Sequence, residues 1–436
     1  MSRLLVAQRA LTVPGWAKDA LWRNARAVPS LDLRFADNKS LVDAVTGASL
    51  ITFTRASSGT FVDSAGVLQT AATDVPRFDH NPTTGESLGL LGEEQRANLL
   101  LRSEEFEATW TPTALQAFGS GSVANAIAAP NGSVTADLIT ENTATTGHRV
   151  SQDTISGTAA LGAYTASVYF KSKERTRCYL NYTDNATGEV TATFNLSNQS
   201  SSITAGGSWT GSLAIIQAVG NNWYRCSLTA TKGNSSFALS LRVGIADNSS
   251  NISYTGDGTS GLYLWGAQLE AGAFPSSYIP TTTAAVTRSA SLADLISSAI
   301  ANNIRSFYVE FSSPAVGTRG AVSLNDNTAN ERADLLTSGT DPRLVVHDGG
   351  AEQVNINGGT VTAGVKARVA VRINSNDFAS SINGGAVATD TSGTLPTVDR
   401  LMFGRTQAGE YLNGRIARFT GWTGLLPDST LQALTQ

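Results

Sequence analysis

The acidic side chains and histidines of the chain lack the spacings that hydrolytic chemistry requires. A retaining glycoside hydrolase needs two carboxyl groups about 5 Å apart, which a strand supplies when acids alternate along one face. Asp334 and Asp341 flank a predicted strand, but no second acid lies two residues from either. The histidines are His80, His148 and His347, which indicates neither a zinc cluster nor a Ser-His-Asp assembly within one module. We therefore predict no catalytic residues and no enzymatic activity.

Aromatic side chains point instead to sugar binding, in which a ring packs against the face of a sugar. Trp209 lies in a glycine-rich stretch outside any core pattern, so we predict that it is exposed and is the first candidate for a carbohydrate contact. Tyr182 and Tyr254 lie near predicted turns and are the second candidates. Trp223 and Trp265 lie within apolar strands, as core residues do. The competing interpretation of Trp209 is a loop aromatic packed on its own domain or a neighbour.

Two turn clusters carry oxygen ligands of the kind that calcium prefers. They are Asp257, within Thr-Gly-Asp-Gly-Thr, and residues 325–327, which read Asn-Asp-Asn. The same residue types form plain turns, so we predict no cofactor and no metal site, with calcium as the alternative.

Cys178 and Cys226 each lie within a predicted strand. We expect two free, buried thiols, and the alternative is a disulfide between neighbouring or facing strands.

The elements that must position these residues are β-strands. Of 436 residues, 41% are hydrophobic and only 15% are charged, which excludes a disordered chain and is typical of all-β modules with many turns. The net charge is -4 with both signs scattered, so we predict no nucleic-acid partner. Residues 1–30 lack the apolar core of a signal peptide. No apolar run approaches the ~20 residues of a membrane span, so we predict no membrane partner.

Strand-length runs of alternating polarity recur along the chain, separated by turn clusters. This pattern favours β-sandwiches. We predict an all-β fold of tandem β-sandwiches with four parts: an extended N-terminal anchor at 1–30, a small β attachment subdomain at 31–101, a first sandwich at 102–287 and a second at 288–436.

One stretch joins the predicted subdomain to the first sandwich. Residues 76–110 read PRFDHNPTTGESLGLLGEEQRANLLLRSEEFEATW, with the charged Glu93 and Glu94 between two apolar runs. We interpret these two carboxylates and Asn98 as groups that satisfy a buried turn, because buried polar groups normally have structural partners. The alternative, a reactive site facing solvent, is not favoured by any neighbouring chemistry.

The same stretch resembles a sequence of tailed-bacteriophage structural proteins, where it precedes a jelly roll like that of carbohydrate-binding modules. Similar motifs occur at residues 51–57, 61–67, 262–270 and 274–282, so that the resemblance covers about residues 31 to 288. Gly92 departs from the related sequences, which often carry a bulky aliphatic residue there. The resemblance implies a jelly-roll sandwich at 102–287 and a location in the virion, and it implies no catalytic residues.

The C-terminal third resembles a laminin-G or concanavalin-A-like lectin domain. The marks are Ser-Ile-Asn-Gly-Gly at 381–385 and Leu-Asn-Gly-Arg-Ile-Ala at 412–417. This resemblance implies a second sandwich of lectin type, and it says little about a ligand.

Together the two resemblances imply a non-enzymatic virion protein, such as a tail fibre, head fibre, spike or capsid decoration, that displays sandwiches for adhesion to a host-surface glycan. Its partners would be capsid, portal or tail proteins, further copies of itself (a trimer is one option) and a bacterial surface glycan. It would be made in the host cytoplasm and released by lysis. The alternatives are a purely architectural component without a ligand and a virion-associated glycan depolymerase.

Residues 1–30 would attach the protein to the virion. Trp16 and Trp22 are the candidates for this contact, because a segment so short cannot form its own core. The alternative is a strand or helix folded back on its own domain.

Overall fold

A computed structural model describes residues 19–158, 160–184, 188–233 and 238–436. The first elements of this part are α1 (Ala20–Ala25), β1 (Leu31–Leu33), α2 (Phe35–Asn38), β2 (Thr52–Thr54), β3 (Gly59–Val62), β4 (Leu68–Ala71), β5 (Phe78–His80), β6 (Ser87–Gly92) and β7 (Arg96–Asn98). The middle elements are β8 (Thr111–Thr113), β9 (Val123–Ala128), β10 (Val134–Thr140), β11 (Thr145–Thr146), β12 (His148–Ile155), β13 (Gly162–Ser172), β14 (Arg177–Thr183), β15 (Glu189–Asn195), β16 (Ser200–Ala205), β17 (Trp209–Ala218), β18 (Trp223–Lys232), β19 (Leu239–Ile245), β20 (Tyr254–Thr255) and β21 (Gly261–Ala271).

The last elements are β22 (Val286–Arg288), β23 (Leu292–Ile296), α3 (Ser298–Ala301), β24 (Ser306–Ser312), β25 (Arg319–Asn325), β26 (Arg332–Ser338), β27 (Asp341–Asp348), β28 (Ala351–Asn357), β29 (Ala367–Asn374), β30 (Asp377–Ile382), β31 (Ala388–Asp390), β32 (Arg400–Phe403), β33 (Gly414–Trp422) and α4 (Asp428–Leu434). Strands dominate and the helices are short. The predicted all-β sandwich fold is confirmed. Among the described residues, no helix is long and apolar enough to cross a membrane.

The chain forms two compact units, and their boundaries differ from those predicted. Unit 1 contains the described residues up to 52 together with 294–412 and 416–436, and unit 2 contains 53–293 and 413–415. A separate subdomain at 31–101 is therefore wrong, since β1 belongs to unit 1 and β3 to β7 belong to unit 2. The physical reason is long-range pairing. Strand β1 runs antiparallel to β33 with Leu31 opposite Gly421, so the start of the chain completes a sheet built near its end.

Unit 1 is a sandwich of two antiparallel sheets. One sheet has the order β31-β30-β29-β24-β33, with β1 also paired to β33, and the other has the order β23-β32-β25-β26-β27-β28. Phe403 of one sheet meets Phe419 of the other with ring centroids 5.3 Å apart, and Phe307 stacks on Phe419 at 5.7 Å. These aromatic pairs bury the inner faces of both sheets.

The short helices cover the outer face of the first sheet of unit 1. Leu431 and Leu434 of α4 pack with Tyr308 and Ala370 of the sheet in one buried cluster, which also includes Ala25 of α1. Because a sheet that is apolar on both faces must be covered on both, this packing explains why the chain places helices at its two ends.

Trp22 is part of this covering and does not act as an attachment residue. Its side chain is buried, and its indole nitrogen donates to Asp32 Oδ2 at 3.0 Å. The guanidinium of Arg34 lies 5.2 Å from the ring centroid. The prediction of Trp22 as a virion contact is therefore wrong, and the segment is a helix folded back on its own unit. Trp16 lies outside the described residues.

Unit 2 is a larger sandwich of two six-stranded sheets. We name the sheet β17-β18-β13-β21-β10-β9 the covered sheet and the sheet β16-β15-β14-β19-β12-β8 the open sheet. Alternate residues of the two sheets, such as Val168 and Phe170 of β13 and Leu180 of β14, meet in one extensive core. Cys178 and Cys226 are free and buried in that core. Burial raises the pKa of the Cys178 thiol well above its usual value, so this thiol stays protonated.

The outer face of the covered sheet is apolar and is buried by surrounding segments. Trp223, Trp265 and Tyr169 project from it and form a cluster with Tyr278, and the partly buried Leu68 packs against this cluster. The hydroxyl of Thr60 donates to the Tyr278 carbonyl at 2.6 Å. The segments on either side of the sandwich strands in the sequence therefore close this face, which leaves the open sheet as the face to consider for function.

Removing the buried Asp32 carboxylate should destabilise unit 1. Asp32 accepts hydrogen bonds from Arg418 at 2.7 Å and 2.8 Å and from Arg34 at 2.6 Å. Asp32→Ala should lower the free energy of unfolding by about 3–5 kcal/mol, because it leaves buried guanidinium charge uncompensated. Urea denaturation measures the loss. The control is Asp37→Ala at an exposed helix position, which should change stability little. Equal effects of the two substitutions would contradict the assignment.

Candidate functional site

Trp209 and Tyr182 form part of the core and are not available to a sugar. Trp209 is only 5% exposed and Tyr182 is fully buried. Their rings stack with centroids 5.6 Å apart and planes 22° apart. The Tyr182 hydroxyl donates to the Leu228 carbonyl at 2.8 Å, and the Trp209 indole donates to the Gly188 carbonyl at 3.3 Å. The predicted exposure of Trp209 is wrong, because the glycine-rich turn directs the ring onto the end of the core.

Tyr254 is partly exposed, but its ring already packs against two neighbours. The His148 ring lies 4.6 Å from it, and the Arg175 guanidinium lies 5.4 Å from its centroid. Its hydroxyl donates to Glu141, which is fully buried and also paired with Arg175. Burial and the Glu141 carboxylate raise the pKa of Tyr254 well above its usual value. Tyr254 therefore closes a buried ion pair, and the prediction of a sugar platform there is wrong.

The two predicted calcium clusters use their oxygens in turns. The Asp257 carboxylate accepts from the backbone N–H groups of Thr259 and Ser260 at 2.8 Å and 2.7 Å. Asp326 accepts from the backbone and hydroxyl of Thr328. Within the described part of the chain, no group of three or more His, Cys, Asp or Glu side chains lies close enough to hold a metal ion. The geometry thus identifies both clusters as capped turns.

Asp334 in unit 1 is a buried acid with a raised pKa. Burial, with a smaller contribution from the nearby Glu410, raises its pKa to about 6 against the lowering effects of Ser323 and Arg332. Perturbed acids often mark functional sites. This carboxyl group is only 3% exposed, however, and it pairs with Arg332 at 3.0 Å. A group that solvent barely reaches cannot meet a glycan chain, so we assign Asp334 a structural role.

The open sheet of unit 2 presents a polar outer face. Because side chains alternate along a strand, the neighbours of the core residues point away from the sandwich. Exposed or partly exposed residues on this face come from four adjacent strands: Arg149 of β12, Arg242 of β19, Arg177 of β14, and Glu189 and Thr193 of β15. The hydroxyl of Thr193 lies 2.6 Å from that of Ser202, on the edge strand β16. Guanidinium, carboxylate and hydroxyl groups thus lie side by side across the sheet.

Tyr179 lies at the centre of the open face, where Gly244 makes room for it. The two residues are paired across β14 and β19, and a Cβ on Gly244 would lie 2.5 Å from the Tyr179 ring. Burial raises the pKa of Tyr179 to about 12, although Arg149, which hydrogen-bonds to it, lowers the pKa. The phenol is therefore neutral and lies close to the Arg149 guanidinium.

Asn181 of β14 begins a row of linked polar side chains on the open face, which continues through Thr191 and Glu189 of β15 to Arg242 of β19. Its amide nitrogen donates to Thr191 Oγ1 at 2.7 Å and to Glu189 Oε2 at 3.2 Å. The same Glu189 oxygen lies 3.4 Å from Arg242 Nη1. The amide oxygen of Asn181 is buried and has no hydrogen-bond partner among the described residues. Asn181 and Thr191 are buried, so the groups of this row that a polyhydroxyl ligand could reach are Glu189 and Arg242, whose side chains are 52% and 26% exposed.

Sequence reasoning missed the open face, although its signal is present. In β14 the core residues Cys178 and Leu180 alternate with Tyr179 and Asn181. Polar groups at alternate positions of neighbouring strands indicate one shared face once the strand order is known. That order, in which β14 lies between β15 and β19, is not visible in the sequence.

Glu93 and Asn98 in the stretch at 76–110 have the buried structural role that the sequence predicted, whereas Glu94 is only partly buried and pairs with Arg96. The Asn98 amide nitrogen donates to the carbonyls of Ala267 and Ile279 at 3.0 Å and 2.9 Å, and its oxygen accepts from the backbone of Leu269 at 3.0 Å. Glu93 accepts from the backbone and hydroxyl of Ser277 at 2.7 Å each. The motifs that carry the phage resemblance therefore meet inside unit 2 as a buried polar framework.

Comparisons with known proteins give fold-level likenesses of low similarity. No family model matches the chain, and no curated protein matches it. Domain 4 of AbnA, an extracellular GH43 arabinanase from Geobacillus stearothermophilus solved with arabinotriose, is similar at 15% identity, covers 37% of this chain and 82% of that chain, and has a TM-score of 0.29. Domains LG4-5 of the mouse laminin alpha1 chain are similar at 10% identity, cover 65% of this chain and 84% of that chain, and have a TM-score of 0.22. At these TM-scores neither likeness carries an argument about function.

Trp209 should behave as a core residue in a stability experiment. Trp209→Ala should lower the free energy of unfolding by about 3–5 kcal/mol, because it leaves a cavity against Tyr182. Trp209→Phe retains a ring in the stack and should cost clearly less. Guanidinium denaturation followed by circular dichroism measures both. An unchanged midpoint in Trp209→Ala would instead indicate an exposed ring.

Proposed function

We propose that the protein is a non-enzymatic structural component of a tailed-bacteriophage virion that binds a bacterial surface glycan through the open sheet of unit 2. The sequence resemblance at residues 31–288 supports the virion location and partners among capsid, portal or tail proteins. The observation that carries the glycan proposal is the exposed pair of Glu189 and Arg242 on the outer face of that sheet, where the buried Asn181 holds Glu189 in place.

The absence of catalysis is part of the proposal, and the engagement of the acids in unit 1 supports it. Asp334 pairs with Arg332, and Asp341 lies 3.6 Å from Arg343. His347 lies 3.2 Å from Arg332, and burial together with this cation lowers its pKa. These groups neutralise one another on the sheet, whereas a depolymerase needs a carboxyl pair that faces its substrate.

Replacing Arg242 should weaken glycan binding. Arg242→Ala should raise the dissociation constant for purified host capsule or lipopolysaccharide about tenfold or more, as expected when one hydrogen bond from a charged group is lost. Biolayer interferometry with immobilised glycan measures binding, and a reducing-end assay on the same mixtures measures cleavage.

The matched control is Arg368→Ala in unit 1, where a partly exposed arginine forms a similar pair with Glu310 at 3.2 Å. It should leave binding unchanged. Wild-type protein that binds no host glycan would favour the purely architectural alternative. Binding lost equally in both variants would overturn the assignment to the open sheet, and release of reducing ends would overturn the non-enzymatic proposal.

Self-association is the further part of this proposal, and the edge strands of unit 2 support it. Strands β16 and β17 each end one sheet of the sandwich, and they lie within one run, residues 190–224, that contains no charged residue and no proline. Ile203, Leu213 and Ile215 in these strands are 37%, 50% and 40% exposed. Edge strands of monomers usually carry charge or proline that prevents pairing. An uncharged edge can contact the same edge of a second copy without repulsion.

A lysine on this edge should disrupt assembly. Ile215→Lys should shift the mass measured by light scattering from an oligomer toward the monomer, because edge pairing would bury the new charge. Val365→Lys, at a 56% exposed site in unit 1, is the control and should not change the mass. A wild-type chain that is monomeric at micromolar concentration would contradict the proposed self-association.

A further inference from the structure

Three arginines of unit 2 are buried together with one carboxylate between two of them. Arg55, Arg77 and Arg288 are each 1% exposed or less, and Glu93 is 4% exposed. Glu93 Oε2 lies 2.8 Å from Arg77 Nη1 and 3.3 Å from Arg288 Nη1. We call these four residues the arginine cluster. Its formal charge is +2, since three guanidiniums face one carboxylate.

The hydrogen bonds of Arg55 satisfy its donors and leave its charge uncompensated. Its guanidinium donates to the backbone carbonyls of Ser57 at 2.9 Å, Val75 at 3.0 Å and Ala72 at 2.6 Å. Carbonyl oxygens are neutral. Burial, together with the neighbouring Arg77 and Arg288, lowers the pKa of Arg55 to about 10, against the opposing effects of Glu93 and Asp74. The cations are therefore near enough to repel one another.

Arg77 has its terminal nitrogens paired on several sides. Nη1 donates to the Thr60 carbonyl at 3.0 Å and to Ser277 Oγ at 2.9 Å, and Nη2 donates to Ser291 Oγ at 3.1 Å. A Cβ on Gly59 would lie 3.1 Å from Arg55 Nε and 3.2 Å from Arg77 Nη1, so one glycine borders both guanidiniums.

Arg288 differs from the other two because its donors are unused. Its Nε, Nη1 and Nη2 are buried, and none has a hydrogen-bond partner in the described part of the chain. Its contact with Glu93 is an ion pair without hydrogen-bond geometry, and Glu93 already accepts from Ser277. An arginine has five N–H donors. Leaving them unpaired in the interior lowers the stability of the folded state, because each buried donor loses its hydrogen bond to water.

The nearby acid Asp79 does not supply the missing charge. It pairs with Arg415 at 2.6 Å and 2.8 Å and accepts from the Val62 backbone at 2.7 Å. Counting this pair with the cluster leaves the same excess of two buried positive charges, and Asp74, the other acid near Arg55, is exposed. Buried charge without a counter-charge is strongly unfavourable, so a group from outside the chain is expected to balance part of it.

We propose that the arginine cluster binds one small monovalent inorganic anion, of which chloride is the abundant example, with Arg288 as its principal donor. The burial of Arg288 limits the ligand to a small ion and excludes a carboxylate from a macromolecule. The anion would accept the N–H groups that the chain leaves unused and reduce the repulsion among the three guanidiniums. Its role is to stabilise the framework of unit 2.

Chloride should raise the thermal stability of the full chain at constant ionic strength. Sodium chloride replaces sodium gluconate stepwise, since gluconate is too large to enter. Because binding to the native state alone stabilises by mass action, the unfolding midpoint should rise about 3–5 °C for each tenfold increase in chloride above its dissociation constant. Sodium bromide should replace chloride. Identical midpoints in chloride and gluconate would overturn the proposal.

Arg288→Met tests the assignment to this cluster. It removes the unpartnered charge while retaining a long side chain, so the chloride dependence should disappear. The matched control is Arg372→Met in unit 1, where the arginine is paired with Asp377 and Asp428 at 2.6 Å each. This control should lower the midpoint and leave the chloride dependence intact. Unaltered dependence in Arg288→Met would overturn the proposal.

A measurement on the unmodified protein decides the matter if Arg288→Met does not fold. Chloride-35 NMR line broadening should be greater for the native chain than for the chain unfolded in urea, and bromide should reduce the excess. Equal broadening in the two states would show that water, not an anion, satisfies the cluster.

Discussion

The ionised carboxylate of Glu93 is the interaction on which unit 2 depends. It joins β6 and β7 to segments far along the chain, through Arg288, Ser277 and Arg77. Burial alone would raise the pKa of Glu93, but Arg288, Arg77 and the Ser277 hydrogen bonds lower it well below its usual value. A lowered pKa stabilises the fold above the unfolded-state pKa, and this stability is lost as the pH falls through the folded-state value. The framework therefore persists throughout the neutral and mildly acidic range.

A second constraint is that an apolar face of a sheet must be covered by other segments, whereas a polar face can be exposed to water. In unit 1 the helices α1 and α4 cover the outside of one sheet. In unit 2 the aromatic cluster around Trp223 and Trp265 is buried by flanking segments. The outer face of the open sheet also buries Tyr179, Asn181 and Thr191 beneath longer polar side chains. The residues that remain accessible there include Glu189 and Arg242.

Local pattern was enough to predict strands, because alternation reports which residues face a core. The runs at 164–170 and 307–311 do lie in strands, β13 and β24, although both strands are buried on nearly every residue because both faces of their sheets are covered. Pairing partners were not predictable in the same way. Leu31 pairs with Gly421, which lies nearly 400 residues further along the sequence. Neither segment carries a pattern that identifies the other as its partner. The division into four consecutive domains failed for this reason.

The aromatic predictions failed for a related reason. A ring near a glycine-rich turn can point toward solvent or back over the core, and the turn residues are the same in both cases. Trp209 turns inward because Tyr182 offers a ring to stack on. Tyr254 packs against His148 and Arg175, which come from other strands and loops. Asn98 was predicted correctly because a polar residue between two apolar runs is constrained to find partners whatever the topology.

Several side chains of the open face are held in place before any ligand binds. Asn181, Glu189 and Arg242 are linked to one another in the free protein, and Tyr179 is seated on Gly244. Side chains held this way lose little conformational entropy when a ligand arrives, and that entropy is a main cost of association. A flexible arginine on a loop would have to lose that freedom on binding. The strands that fix these side chains in place would therefore contribute to affinity as well as the side chains themselves, which fits the glycan contact that we propose for the open sheet.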